Sequence, residues 1–293
     1  MFIINQWDKK MIIIDMNQIA LASVMMQLRM DETTEVSEDM VRHMILNSIR
    51  NYVMEFKSDY VQTDADVILA WDSKHYWRRD LFPQYKASRK KNREKSNLDW
   101  NKIFEVTNKI RDEIKENLPY KSVEVYGAEA DDIIAVITQS CYTKDVMIIS
   151  SDKDFIQLHK ENVKQWSPVT KKEVNGHDPN TYIKEHILKG DSGDGVPNVL
   201  SPDHTFTDGL RQKPLGKKRI DKMVNENIDD WNDEVKRNYQ RNLKLIDLKN
   251  IPNNIESDII NAIETSSCGD RSKLLNYLTT NKLKTLTENI GDF

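Results

Sequence analysis

The chain has 293 residues, 38% hydrophobic and 31% charged, with a formal net charge of −4 and two cysteines. That length suits one large domain or two smaller ones, and no stretch approaches the roughly 18 to 20 apolar residues that span a bilayer, so no membrane association is expected. Cys141 and Cys268 stand far apart, which excludes a disulfide-stapled scaffold and points to a reducing cytoplasm.

In chain order, Met1–Trp7 reads as a frayed terminus rather than a docking peptide. Lys10–Asp15, Asp66–Asp72, Ser122–Gly127 and Val146–Asp152 are short, apolar and rich in β-branched residues, the pattern of strands buried on both faces of a parallel sheet. Helical periodicity separates them: Val41, Met44, Ile45, Ile49 and Val53 in one segment, Ile103, Val106, Ile110 and Ile114 in another that Pro119 closes. Such alternation predicts an α/β fold with a mostly parallel central sheet flanked by helices. From about Tyr182 the strand signal fades. Gly190–Gly216 is loop-rich, and Lys217–Leu248 repeats apolar residues at helical spacing. The expected division is an α/β domain over residues 1–185 and a smaller helical region over 186–293.

Acids fall where the strands end. Asp15, Asp72 and Asp152 close three apolar runs, and Glu129 follows the third run by two residues, beside Asp131 and Asp132. Asp154 stands next to Asp152, and Asp191 and Asp194 sit on the glycine-bent "GDSGDG". In a parallel sheet these ends share one edge, where ligand sites form. Singly, each acid has an ordinary reading as an N-cap or turn residue. Jointly, so many carboxylates cannot stay ionised together without cations. Hard oxygen donors favour Mg²⁺ or Mn²⁺ over zinc, and a pair of such ions suits in-line attack on a phosphodiester.

Tyr76–Lys95 sets eight Lys or Arg residues against only Asp80 and Glu94, interleaved with Tyr76, Trp77, Phe82 and Tyr85. A solvated charged helix is the ordinary reading of a charge run. The rings favour single-stranded nucleic acid instead, with cations on phosphates and rings on bases. Starting just after Asp72, the segment should overhang the acids.

The set Arg78, Leu81, Phe82, Tyr85, Lys86 and Arg89 resembles the arch of the 5′-nuclease or flap-endonuclease superfamily. "GAEADDIIA", "SSDKDFIQL" and "GDSGDGVPN" are similar to three further acidic motifs of that family, in the same order, and several other segments between about Ile12 and Leu248 resemble its bacteriophage ribonuclease H type. The resemblance implies a 5′-nuclease/PIN-like fold with a basic arch at about 76–100, and a 5′→3′ exonuclease and flap endonuclease that removes RNA primers from lagging-strand fragments. It implies two Mg²⁺ ions, with Mn²⁺ able to substitute: Asp15, Asp72, Glu129 and Asp131 at one, with Asp132 alongside, and Asp152, Asp154 and Asp191 at the other, with Asp194 outside them. Lys86 and Arg89 would stand near the scissile phosphate as catalytic cations. Arg78, Arg79, Tyr85 and Lys90 would orient the strand. Substrates would be DNA and RNA–DNA hybrid with a 5′ end or flap, bound by a monomer in the host cytoplasm. A replication nuclease also implies a single-strand-binding protein or sliding clamp as partner, although no docking peptide is evident.

One departure stands out. The family's compact glycine hairpin, which grips duplex backbone and a K⁺ ion, is interrupted here by Leu200–Lys213 before Lys217, Lys218 and Arg219 offer cations to phosphates. The K⁺ site is therefore open. His43, among apolar helix residues, reads as structural. Two other readings compete. A haloacid-dehalogenase-type phosphatase would need a second Asp where Asn17 stands, and a non-catalytic replication scaffold would not keep every motif acid.

Overall fold

A computed structural model describes residues 10–140, 145–176 and 178–293; Met1–Trp7 and Cys141 lie outside them. In chain order the elements are β1 (Met11–Asp15), α1 (Met16–Met30), α2 (Glu38–Tyr60), β2 (Val67–Trp71), α3 (Trp77–Leu81), α4 (Ala87–Glu94), α5 (Trp100–Asn117), β3 (Lys121–Glu124), α6 (Ala130–Gln139) and β4 (Val146–Ile149). Then follow β5 (Val163–Ser167), β6 (Lys172–Glu173), α7 (Pro179–Lys189), α8 (Lys217–Val224), α9 (Asp233–Ile246), α10 (Asn253–Thr265), α11 (Arg271–Thr280) and α12 (Lys284–Glu288).

The strands form one sheet in the order β3-β2-β1-β4-β5-β6, parallel except for the β5–β6 pair. Alternate residues of the central strands feed opposite layers, because successive side chains of a strand point to opposite faces. Ile12, Ile14, Leu69 and Ile149 pack with α1, α2 and α5, while Ile13, Ile68, Val123 and Ile148 pack with α6. Each fully buried Ile contributes roughly 1.5–3 kcal/mol.

All four predicted strands form within a few residues of their expected bounds. β5 and β6 were not foreseen: β5 alternates buried Val163, Gln165 and Ser167 with more exposed residues, so it lacks the continuous apolar run of a central strand. α1 was also unannounced. The helical spacing over Lys217–Leu248 corresponds to α8, a 3₁₀ turn at Ile228–Asp230, and α9. Asparagines break it: Asn227 caps the turn and Asn232 accepts from the Val235 N–H at 3.0 Å, using short side chains that compete with helical hydrogen bonding.

The helical region after α9 folds back on the sheet. Ile255, Ile259 and Ile263 of α10 enter the α6 layer, and Leu274, Leu278, Leu286 and Phe293 complete the α2–α5 layer. A separate small core holds Leu188, Val199, Ile220, Met223 and Val235.

Candidate active site

The strand order reverses between β1 and β4, which opens a crevice beyond their C-terminal ends. Asp15 ends β1, Asp72 follows β2 directly, and Asp152 lies just beyond β4. Each acid satisfies its ordinary local role at that end of the sheet. Asp15 caps α1 by accepting from the Gln18 N–H at 3.2 Å and also accepts from the Ser150 hydroxyl at 2.9 Å. Asp72 accepts from the Ala130 N–H at 2.7 Å and from the Asn17 side chain. Asp152 accepts from the Asp154 N–H at 3.0 Å.

Their electrostatics show convergence. Burial, then the Asp72 charge, pushes the Asp15 carboxyl up to about 7. Burial, then Asp154, lifts Asp152 to about 6. Burial and Glu129 raise Asp72, burial and Asp152 raise Asp131, and burial and Asp194 raise Asp191. Carboxylates raised by one another must share a small, poorly solvated volume. Divalent cations would relieve that repulsion, and the donors are the oxygen ligands such ions take, so the residues fit the metal ions expected from sequence.

A second group is built on the 190–196 loop. Gly190 (φ +67°) and Gly195 (φ +76°) supply the left-handed turns, and a side chain on Gly190 would meet the Val196 carbonyl at 2.4 Å. The turn is closed by paired bonds between Asp191 and Val196, 2.8 and 2.7 Å. Asp154, His186 and Asp191 offer ligand atoms all within 4.8 Å of one another. Their neighbours Asp131 and Asp194 line the same small cavity as Asp154 and Asp191. His186 was not singled out from sequence. Its Nε2 is buried 3.1 Å from an Asp154 oxygen, without the alignment of a hydrogen bond. Nothing local marks it; the packing of α7 on the Lys153–Leu158 turn brings it there.

The basic segment folds as α3 and α4, not as an open loop, and several expectations need correction. The rings do not await bases: Trp77, Phe82 and Tyr85 are 9%, 4% and 3% exposed. Arg78 is inside the protein. It donates to Asp132 at 2.8 and 2.9 Å, to Glu129 at 3.0 Å and to the Leu245 carbonyl at 2.9 Å, leaving no donor face for a strand. Tyr85 donates to Glu129 or Asp194, both at 2.9 Å from its hydroxyl. Asp132 also accepts from Trp77 at 3.1 Å and from the Glu129 N–H at 3.0 Å, so its oxygens are taken up structurally and do not face a metal. Lys86, at φ +56° and 7% exposed, pairs with Glu129 and lies 3.5 Å from Asp194. Glu129 is thus ringed by Arg78, Tyr85 and Lys86 rather than open. Burial would raise Asp194, but Lys86 and Arg89 outweigh it and hold the carboxyl below its usual range.

Other cations do face outward. Arg79, Arg89 and Lys90 are exposed, Arg89 with Asp194 at 2.5 Å. Lys217 pairs with Asp221 at 3.4 Å, while the exposed Lys218 and Arg219 make no ion pair among the described residues. His43 lies on α2 and makes no hydrogen bond to these acids. Leu200–Lys213 is a pinned loop: the Asn198 amide donates to the Lys213 carbonyl at 2.8 Å, the Asn238 amide to the Val199 carbonyl at 3.0 Å, and Thr207 accepts from Lys91 of α4 at 2.8 Å.

Residues 10–187 match the family model described as 5′-3′ exonuclease, N-terminal resolvase-like domain, and residues 178–293 match that of the T4 RNase H C-terminal domain. The chain belongs to the 5′-3′ exonuclease family. This 5′-nuclease is 37% identical to ribonuclease H of Enterobacteria phage T4, over 96% of this chain and 95% of that protein. It is 29% identical to flap endonuclease Xni of Shewanella sp. (strain MR-4), over 45% of this chain and 52% of that protein. Its fold superposes with TM-score 0.60, at 17% identity, on a flap endonuclease of bacteriophage T5 in complex with DNA and metal ions, covering 87% of this chain and 99% of that one. Membership in a nuclease family removes the phosphatase and scaffold alternatives. Among the described residues, no helix of this 5′-nuclease is long and apolar enough to cross a membrane.

Proposed function

We propose that this 5′-nuclease is a Mg²⁺-dependent 5′→3′ exonuclease and flap endonuclease that removes RNA primers during lagging-strand replication in the host cytoplasm. Its substrates are RNA–DNA and DNA duplexes with a 5′ end or flap. A single-strand-binding protein or sliding clamp is a fitting partner for that role. The supporting observation is that acids from separate strand and helix ends crowd one another: besides burial, Asp72 and Asp152 raise Asp15, and Asp152 and Asp15 raise Asp131. Asp15, Asp72 and Asp131 would hold one ion, with Glu129 shaping that pocket from behind; Asp152, Asp154 and Asp191, joined by His186, would hold the other.

When bound, the ions supply Lewis-acid activation of water and of the leaving oxygen. The chain does the rest. Ser150 and Gln18 fix the Asp15 carboxylate, Asn17 and the Ala130 N–H fix Asp72, and Lys86 and Arg78 keep Glu129 in place. Arg89 and Lys90, exposed on α4, would neutralise phosphates of the entering strand, and Lys218 and Arg219 on α8 would meet the downstream duplex. Cleavage leaves a 5′-phosphate and a 3′-hydroxyl.

The test is a gel assay on 5′-labelled flap and RNA–DNA substrates with Mg²⁺, with EDTA, and with Asp152→Asn. Cutting in Mg²⁺ alone is expected, with Asp152→Asn binding normally but turning over severely more slowly. Unchanged cutting in EDTA would overturn the metal mechanism, and wild-type turnover by Asp152→Asn would take that acid out of the site.

A further inference from the structure

We propose that Tyr126, seated on His75, is a stacking platform for an unpaired nucleobase of the 5′ strand beside the scissile phosphate. The basic segment buries the rings that its sequence offered to bases, yet one aromatic at the same sheet edge is presented to solvent. Tyr126 is 77% exposed, against 43% for Phe104. Its ring lies nearly parallel to the His75 imidazole, 14° between planes and 5.3 Å between centroids. His75 is itself fixed by Asp80 at 2.8 Å. With one face on His75 and most of its surface accessible, Tyr126 has its other face open. Its hydroxyl makes no hydrogen bond among the described residues, so no polar contact explains the placement.

Position makes this more than an ordinary surface pair. His75 stands three residues after Asp72, and Tyr126 three before Glu129. Three residues reach at most about 10 Å, so the platform lies within that reach of Asp72, proposed to hold a metal ion, and of Glu129 behind the same pocket. The two loops are laced together: the Trp77 N–H donates to the Gly127 carbonyl at 2.8 Å and the Ser73 N–H to the Ala128 carbonyl at 3.0 Å. Gly127, at φ +86°, provides the bend that turns Tyr126 outward. The ring is therefore held in orientation before anything binds, which lowers the entropy lost on stacking. Every base offers a π-face, but in a duplex both faces are covered by neighbouring pairs, so the ring selects an unpaired base without reading its identity. Arg79, exposed on the adjacent α3 with its guanidinium 4.8 Å from the centre of the Tyr76 ring, would meet a phosphate of the same strand.

The proposal rests on the 5′-nuclease reading, and its test separates the two. A flap substrate carries 2-aminopurine on either side of the scissile linkage, and binding is followed by fluorescence in Ca²⁺ with the strand recovered intact. Wild type should quench the probe on at least one side. Tyr126→Phe should keep that quench, because only the ring face is used. Tyr126→Ala should lose it and weaken flap binding by about 5- to 150-fold, the range for one stacked base, with KM raised and kcat little changed. Affinity for a fully paired duplex should not move. Retained quench and affinity in Tyr126→Ala would overturn the platform, as would Tyr126→Phe failing like Tyr126→Ala, or equal loss on the paired duplex. Failure of wild type to cut any flap in Mg²⁺ would instead overturn the nuclease reading.

Discussion

Asp131 and Asp132 are chain neighbours with opposite fates. A helix turns about 100° per residue, so Asp131 lines the acidic cavity while Asp132 points into the protein and takes four hydrogen bonds. Arg78 is what keeps Asp132 and Glu129 compatible with burial. Arg78→Ala would leave two buried carboxylates short of their cation, and should cost about 3–5 kcal/mol in urea unfolding; a loss below 1 kcal/mol would mean the guanidinium is dispensable to the fold. Lys86, by contrast, touches Glu129 and approaches Asp194 at the cavity. Lys86→Ala should slow single-turnover cleavage by about 10²–10³-fold while flap affinity changes far less, and equal losses in both would assign it to binding. For Asp15 the sign of the pH effect follows from its pKa, raised from 3.8 to about 7 by burial and Asp72. Between those values the folded protein keeps a proton that the unfolded chain has lost. Its stabilising contribution is therefore full below about pH 4 and disappears as pH rises through 7. Relative to Asp15→Asn, the metal-free wild type should lose thermal stability across that window, and Mg²⁺ should restore it. Parallel Tm–pH curves for the two proteins would remove Asp15 from the titrating cluster.

Elements here are fixed by packing more than by propensity. α2, α5 and α11 are joined through Arg42, only 2% exposed, which donates to Glu38, Asp39 and Glu113, while Tyr277 donates to Glu113 at 2.8 Å. α10 closes the opposite layer with Ile259, fully buried against α6 and β3. Ile259→Ala should destabilise the protein by about 2–5 kcal/mol, lowering the urea midpoint with little change in slope. Since α10 carries none of the site acids, kcat on the surviving folded protein should stay near wild type; a large fall would show that α10 also shapes the crevice. α4 is braced by Lys91 on the pinned Leu200–Lys213 loop, so the insertion that interrupts the family pattern becomes a support for the cationic helix.

Across the whole molecule, a net charge of −4 coexists with local groups of exposed cations, Arg89 and Lys90 on α4 and Lys218 and Arg219 on α8, because local fields rather than the net charge govern encounters. Phosphate contacts release counterions, so log K should fall linearly with log salt. Lys218→Ala should weaken duplex binding alike across sequences and reduce that slope by about 1. An unchanged slope would place Lys218 off the nucleic acid.

Sequence alone determined the parallel α/β sheet and the edge at which the acids gather. Both follow from near-neighbour rules, since buried parallel strands demand continuous apolar runs and their loops share one end. β5 and the edge strand β6 carry little signal because β5 buries polar Gln165 and Ser167 beside Val163 and β6 is only two residues long, and the helical spacing over Lys217–Leu248 does not show the asparagine caps that divide it. Tertiary structure alone decided which charged and aromatic residues face outward. A motif places Arg78, Tyr85 and Asp132 near the chemistry, but only folding shows Arg78 spent on Asp132 and Tyr85 on Glu129 and Asp194, while His186 and Tyr126 gain their positions from elements distant in sequence. Side-chain direction depends on contacts across the fold, and no local pattern encodes those.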